Sequence, residues 1–262
     1  MQLNHDNYFS PEAMMEYMST SQFKSFEKCE AAVMAELYGL YKPGDKECYL
    51  EGKLFEAAIT GNEQSFLDGH PEMVSSRGAT KGQLKSNYKD VIAAADAFLR
   101  QEVFADIIKR CEQQVIVTGV IGGVKFKGCV DFYDPVTGNG YDSKCMRNFS
   151  KAYSSDFGCS VNWYFAYGYQ YQLAIYRELI KQTFGRAGRQ HLIAATKETV
   201  PNVAYICFAD TVLDSALEIV EEFAPRYDAI KRGEVQPKRC EHCDYCKETK
   251  IIKDCTMIGD YD

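Results

Sequence analysis

The chain has 262 residues, 46% of them hydrophobic and 26% charged, with 18 Tyr and 15 Phe. That composition is globular rather than disordered, and the length is enough to bury a real core. No apolar run approaches the about 18 residues that a membrane helix needs, and a net charge of -7 argues against a surface that binds nucleic acid all over, though not against a local basic groove.

The amino terminus, MQLNHDNYFSPEAMMEY, lacks the basic start and apolar centre of a secretory signal, so a cytoplasmic protein is expected. In a reducing compartment its eleven cysteines point to metal or redox chemistry rather than to a disulfide framework. STSQFKSFEKCEAAVMAELYG reads as one capped helix that Gly39 can end, and KECYLEGKLFEAAITG as a second, ending near Gly61. From Gly61 to Gly82 the Gly, Pro and polar content suggests a loop, and SNYKDVIAAADAFLRQEVFADIIKRC is helical in period with a break near Gln101. The pattern then turns β-branched and alternating: EQQVIVTGVIGGVKFKGCVDFYDP predicts a hairpin about Gly122 and Gly123, and GNGYDSK a third strand. VNWYFAYGYQYQLAIYRELIKQTFG predicts a long amphipathic helix, and HLIAATKET and NVAYICFAD predict two further strands. TVLDSALEIVEEFAPRYDAIKRG predicts a helix bent at Pro225, before a Cys-rich loop. The expected fold is α/β: a mixed sheet flanked by helices, with helices at the amino terminus and a cysteine-rich loop at the other end.

Asp131 and Asp142 lie eleven positions apart on consecutive strands, and Lys144 follows two residues after the second acid. Consecutive strands usually pair, and residues two apart leave the same face of a sheet, so two carboxylates and an ammonium can converge. Hard oxygen donors suit Mg²⁺ or Mn²⁺, and a cation there with a lysine beside it suits hydrolysis of a phosphodiester. The plainer alternative is that both acids are turn or edge residues with Lys144 as their solvated partner. Two further features bear on the choice. Tyr169, Gln172 and Tyr176 form a polar-tipped stripe on one helix face, and Glu56, four residues after Gly52, is a third acid on a helix that could reach the sheet.

These motifs resemble the PD-(D/E)xK nucleases, in the branch of RecB-type nuclease domains and RecE-like phage and prophage exonucleases. Gly52 to Glu56, Asp131, Asp142-Ser143-Lys144 and Gln172 to Tyr176 fall in that branch's order, over about Ser19 to Cys246. Glu56 stands where many relatives have His, which leaves a different metal preference open. With no internal repeat, low-complexity tract or Pro-rich linker, one domain is expected over 1–262, by the resemblance a nuclease domain: a helical part to about 110, a catalytic core over about 111–232 and a cysteine-rich tail over 233–262. It further implies that Glu56, Asp131, Asp142 and the Ser143 carbonyl hold the cation. Lys144 would assist the nucleophile, while Gln172 and Tyr176 would contact the DNA backbone or orient Lys144.

Cys240, Cys243 and Cys246 form C-x2-C-x2-C, and one more ligand would complete a four-coordinate site. AddB-type and CRISPR-adaptation relatives carry a [4Fe–4S] cluster on one upstream and three downstream cysteines. By that resemblance Cys29 is the upstream ligand, although the downstream spacing is more compact than theirs. The alternatives are a zinc site with the same residues, to which His242 or Cys255 could be added, and plain free thiols. The other seven cysteines, among them Cys129, Cys145 and Cys207, read as small core hydrophobes.

The activity implied is a metal-dependent exonuclease on linear DNA, 5′ to 3′, in phage-type recombination, encoded by a bacterium or a phage. A homo-oligomer and a single-strand annealing partner come with that reading. Its rivals are a repair or adaptation nuclease that trims single-stranded ends, and a non-catalytic DNA-binding module stapled by metal.

Overall fold

In the computed structural model, which describes residues 1–44, 47–154 and 157–252, the amino-terminal part is helical. Ser10 caps α1 (Pro11–Glu16) by accepting the Ala13 N–H, and a two-residue strand, β1 (Met18–Ser19), follows. Ser19 in turn caps α2 (Thr20–Lys28) by accepting the Gln22 N–H. The single helix expected up to Gly39 is two, because Cys29 is extended (φ -164°, ψ 104°) and α3 (Glu30–Leu37) restarts after it. The break is fixed by contacts that no local pattern encodes. Arg226 grips Glu30 with two hydrogen bonds (2.8 and 2.9 Å), the Lys238 N–H donates to Glu30, and the Ala31 N–H donates to the Lys238 carbonyl.

α4 (Glu47–Ile59) ends just before Gly61, as its pattern suggests. The segment read as a loop is partly helical: α5 (Glu63–Asp68) is followed by 3-10 turns at Pro71–Met73 and Gly78–Thr80. Met73, fully buried in the core, anchors it. α6 (Ser86–Leu99) and α7 (Glu102–Arg110) flank the break expected near Gln101.

β2 (Glu112–Ile121) and β3 (Val124–Tyr133) form the predicted hairpin, with Gly122 and Gly123 at φ 57° and 79°, as a tight two-residue turn requires. β4 (Gly140–Met146) runs back beside β3. A small hairpin without a clear sequence signal, β5 (Ala152–Ser154) with β6 (Cys159–Val161), leads into α8 (Trp163–Ala166). The one long helix expected here is interrupted by Gly168 at φ 66°, and α9 (Tyr169–Phe184) begins after it. β7 (Gln190–Thr196), β8 (Val203–Cys207) and α10 (Asp210–Lys231) follow, α10 continuing through Pro225. The tail, expected as loop, carries the short α11 (Asp244–Glu248).

Six strands make one mixed sheet in which β4 lies between antiparallel β3 and parallel β7, with β8 beyond β7 and both β1 and β2 along β3. Every residue of β7 is buried, so both faces of the sheet centre are covered. Leu192 and Ala194 pack with Leu179, Ile180 and Val220 of α9 and α10. Ile193 and Ala195, with Phe132 and Tyr141, pack with Phe55, Val91 and Ile107 of α4, α6 and α7. The alternation of side chains across β7 thus joins two helical layers. Among the described residues, no helix is long and apolar enough to cross a membrane.

Candidate functional site

The pairing of β3 with β4 runs through Tyr133↔Gly140 and Phe132↔Tyr141 and stops there. Beyond it the ladder is replaced by side-chain bonds. Asp131 Oδ2 accepts the Ser143 N–H at 2.8 Å and the Ser143 hydroxyl at 3.0 Å, so a carboxylate occupies the place of a strand carbonyl. Asp142 and Lys144 do leave the same face: Lys144 Nζ lies 2.5 Å from Asp142 Oδ2 and donates to the Ser143 carbonyl at 3.1 Å. The Asp142 side chain is 1% exposed and that of Lys144 26%, so the acid is sealed while the lysine is partly exposed. Lys144 is therefore the ion-pair partner of a buried acid, not a solvated neighbour of turn residues.

Helices from both layers close on this parting. From α9, Gln172 Nε2 donates to Asp142 Oδ1 at 2.6 Å, and Tyr176 donates its hydroxyl to the Cys129 carbonyl of β3 at 3.0 Å. Gln172 thus reaches Lys144 through Asp142, and Tyr176, 8% exposed, ties the helix to the sheet. Tyr169, first of the stripe, has Lys144 Nζ 5.9 Å and Lys24 Nζ 5.3 Å from its ring centre. From α4, Glu56 Oε1 accepts Gln114 Nε2 at 2.5 Å, and the same amide lies 3.3 Å from Asp131 Oδ1. Gln114 and Lys24 are additions that the sequence reading missed. Gln114 could have been suspected, because EQQV breaks the alternation of its strand, whereas Lys24 sits on an ordinary helical pattern.

The electrostatics follow from burial and crowding. Burial, with Asp131 nearby, pushes Glu56 up to about 7. Burial pushes Asp142 up to about 6, Lys144 opposing and Asp131 adding. Burial alone would lower Lys144, but Asp142 and Asp131 outweigh it and hold the amine above its ordinary range, so it stays an ammonium. Lys24 is pulled down to about 8 by burial and by the charge of Lys144. The Cys129 thiol, pushed up to about 12 by burial and then by Asp131 and Glu56, stays protonated and donates to Gln114 Oε1 at 3.1 Å.

A hard divalent cation fits this donor set in kind: carboxylate oxygens from Glu56, Asp131 and Asp142, and the Ser143 carbonyl. Asp142 Oδ2 is buried beside the ammonium without a directed hydrogen bond, and burial and the nearby Asp131 disfavour the ionised forms of Glu56 and Asp142, a cost that a cation would offset. The oxygens are nonetheless less gathered than the sulfurs at the other site. Among the described residues, the group of three or more ligand-type side chains whose ligand atoms all lie within 4.8 Å of one another is Cys29, Cys240, Cys243 and Cys246.

That cluster is built by backbone. The extended break at Cys29 turns its thiol toward the tail, which the Glu30–Arg226 and Lys238 contacts dock against α3. The amides of His242 and Cys243 point at Cys240 Sγ (3.4 and 3.3 Å), and that of Cys246 at Cys243 Sγ (3.5 Å). Burial opposes ionisation of Cys240, but those two N–H groups pull it down to about 6. Cys29 Sγ and Cys240 Sγ lie 3.6 and 3.9 Å from Cys246 Sγ. Four thiols so close form a capable site for a soft metal. Cys255, an alternative ligand on sequence grounds, lies outside the described residues. The remaining cysteines are less uniform than expected: Cys111 is buried and Cys129 and Cys145 half-buried, but Cys48, Cys159 and Cys207 are exposed. Short strands and helix starts put them outside the core despite apolar neighbours in sequence.

A mixed sheet between two helical layers, with two aspartates and a lysine where consecutive strands part, defines a PD-(D/E)xK-type nuclease fold. Residues 19–249 match the family described as "PDDEXK-like domain of unknown function (DUF3799)", and the chain belongs to that family. It is similar to a crystal structure of a protein from Eubacterium rectale described as a "putative exonuclease": TM-score 0.88, 32% identity, 98% of this chain and 97% of that one covered. The structure of SSO0001 covers 88% of this chain and 83% of its own, at 16% identity and a TM-score of 0.36, too slight a likeness to bear on function. No curated protein matches the chain.

Proposed function

We propose that the chain is a divalent-cation-dependent deoxyribonuclease that trims DNA ends, single-stranded ends above all, and that a structural metal on its cysteines staples the two ends of the fold. The observation that carries the reading is the parting of β3 from β4, where Glu56, Asp131, Asp142, Lys144 and Gln172 make one bonded cluster. In this reading Glu56, Asp131, Asp142 and the Ser143 carbonyl hold Mg²⁺ or Mn²⁺. The cation, when bound, supplies Lewis-acid stabilisation of charge on the scissile phosphate. Gln172 fixes Asp142, and Tyr176 fixes α9 against β3. Lys144, kept as an ammonium, orients the attacking water and offers positive charge to the phosphate, with Lys24 as a second cation beside it.

The cysteines favour end trimming, since one upstream and three downstream ligands are the arrangement that the resemblance associates with AddB-type and adaptation nucleases. That resemblance implies a [4Fe–4S] cluster. The sulfur spacing of 3.6 and 3.9 Å instead favours a single ion, because tetrahedral zinc with bonds of about 2.3 Å sets its sulfurs about 3.8 Å apart. A four-iron cube would require them to spread.

A second reading is a 5′ to 3′ exonuclease on linear duplex for phage-type recombination; the description of the Eubacterium rectale relative supports an exonuclease in either reading. It would bring a homo-oligomer and a single-strand annealing partner. A non-catalytic, metal-stapled DNA-binding module is supported by the looser spread of the carboxylates. One experiment separates the three: Mg²⁺ or Mn²⁺ with end-labelled single strands, linear duplex and circular duplex. Loss of linear single strands with intact circles is expected. Strand-polar loss of duplex alone supports the second reading. Binding without digestion of any substrate overturns catalysis.

A further inference from the structure

Gln114 lies in the middle of β2, yet its φ of 52° is left-handed, a conformation that disfavours any residue with a Cβ. The ladder pairs Gln113 with Phe132 and resumes at Val115 with Val130, leaving Gln114 and Asp131 across from each other without a backbone pair. Backbone strain of this kind persists where the surroundings over-determine it, and here the surroundings are the candidate site. The turn of the backbone aims the amide at two acids at once, 2.5 Å from Glu56 Oε1 and 3.3 Å from Asp131 Oδ1. Its other end accepts the Cys129 thiol at 3.1 Å. With the amide oxygen facing the thiol, the NH₂ group faces the carboxylates, which can only accept.

We infer that Gln114 is a positioning residue for the divalent cation, holding the carboxylates of Glu56 and Asp131 toward one another. The inference rests on reading those two acids as cation ligands. Without the amide, two acids from different elements, one on α4 and one on β3, would repel and turn apart. The α4 side chain, half-buried and free to rotate about three bonds, would leave first. Outer partners that orient ligand carboxylates typically change metal affinity about 10- to 100-fold when removed.

The test is a Mn²⁺ titration followed by the free-ion EPR signal, with melting curves, on the full chain carrying whatever metal its cysteines hold. Mn²⁺ is hard and does not compete for thiolates. Gln114→Gly relieves the left-handed φ while removing the amide, so its melting temperature is expected to hold or rise as Mn²⁺ affinity falls about 10- to 100-fold. Cys129→Ala leaves the β2 backbone alone and frees the amide to turn over, and a smaller loss of affinity is expected. Wild-type affinity in a well-folded Gln114→Gly protein overturns the inference and leaves the nuclease reading standing. A lower melting temperature in Gln114→Gly, with wild-type affinity in Cys129→Ala, makes Gln114 merely structural and also overturns it. A wild-type protein that binds no Mn²⁺ overturns both.

Discussion

The cysteine site and the carboxylate site are built in opposite ways. The four sulfurs are set by the main chain: an extended residue, a docked tail and amides aimed at sulfur. The carboxylates are set by side chains reaching from two helical layers and two strands, each oriented by a partner that is itself oriented. Backbone placement gathers ligand atoms tightly, whereas side-chain placement leaves slack that hydrogen bonds must take up. A structural metal needs the first, and a site that must admit water and a phosphate can use the second.

The largest expected effect comes from the carboxylate site. Asp131→Ala removes the acceptor of both Ser143 bonds, and digestion should fall by at least about 100-fold, the scale for losing one preorganised electrostatic partner. Lys144→Ala should cost as much activity but more stability, because it strips the counter-ion from Asp142, which is 1% exposed. Steady-state digestion and melting curves on both variants check this. Equal melting temperatures would mean that Asp142 sits in the core as a neutral acid.

Next in size is the staple. Cys29 and Cys246 are 217 residues apart, and cross-linking so long a loop restricts the unfolded chain by about 5 kcal/mol on the disulfide scale, before metal binding is added. Net stabilities are about 5–15 kcal/mol, so Cys29→Ser and Cys243→Ser should each lower the melting temperature by several degrees or more. Elemental analysis and a visible spectrum of anaerobically purified protein read the metal: brown colour and iron mean a cluster, colourless protein with zinc a single ion. Metal-free wild type with unchanged melting in both variants would remove the staple.

Both sites were legible in part. The spacing of Asp131, Asp142 and Lys144 and the C-x2-C-x2-C run were visible because strand period and ligand spacing are local. The long helices were read too simply, because Cys29 and Gly168 break them for tertiary reasons: a tail that must dock on α3, and a lysine, Lys24, that packs over Gly168. Gln114 was missed because its role depends on an irregular φ that only the folded pairing reveals. Glu56 was legible as a third acid that could reach the sheet, but its link to Asp131 through Gln114 is visible only in the folded chain.

The metal preference of the looser site gives a smaller effect. Glu56→His exchanges a hard donor for a softer one, so some digestion should survive with a shift from Mg²⁺ toward Mn²⁺, measured as the ratio of rates in the two ions. Full activity in Glu56→Ala would remove Glu56 from the ligand set.

The smallest expected effect is on stability against pH, and it isolates the burial of Glu56 and its crowding by Asp131. The Glu56 carboxyl is raised from its ordinary 4.5 to about 7. Between those values the folded chain keeps a proton that the unfolded chain has lost, so stability falls as pH rises through that window. Below it both forms are protonated, and above it both are ionised and the loss is complete. Asp142, raised from 3.8 to about 6, slopes the same way over a lower range. His191 slopes the other way: burial and then Arg189 and Arg110 depress it from 6.5 to about 4, so stability rises with pH between those values. Comparing wild type with Glu56→Gln cancels the other two groups. With no divalent cation added, the variant's melting temperature should gain on wild type from pH 5 to pH 7 and then hold its lead to pH 8. Added Mg²⁺ should close the gap at pH 8, since a cation between the acids offsets the repulsion that the amide removes. A gap that does not change with pH would mean that Glu56 ionises as an ordinary surface acid, and the crowding at the looser site would be lost with it.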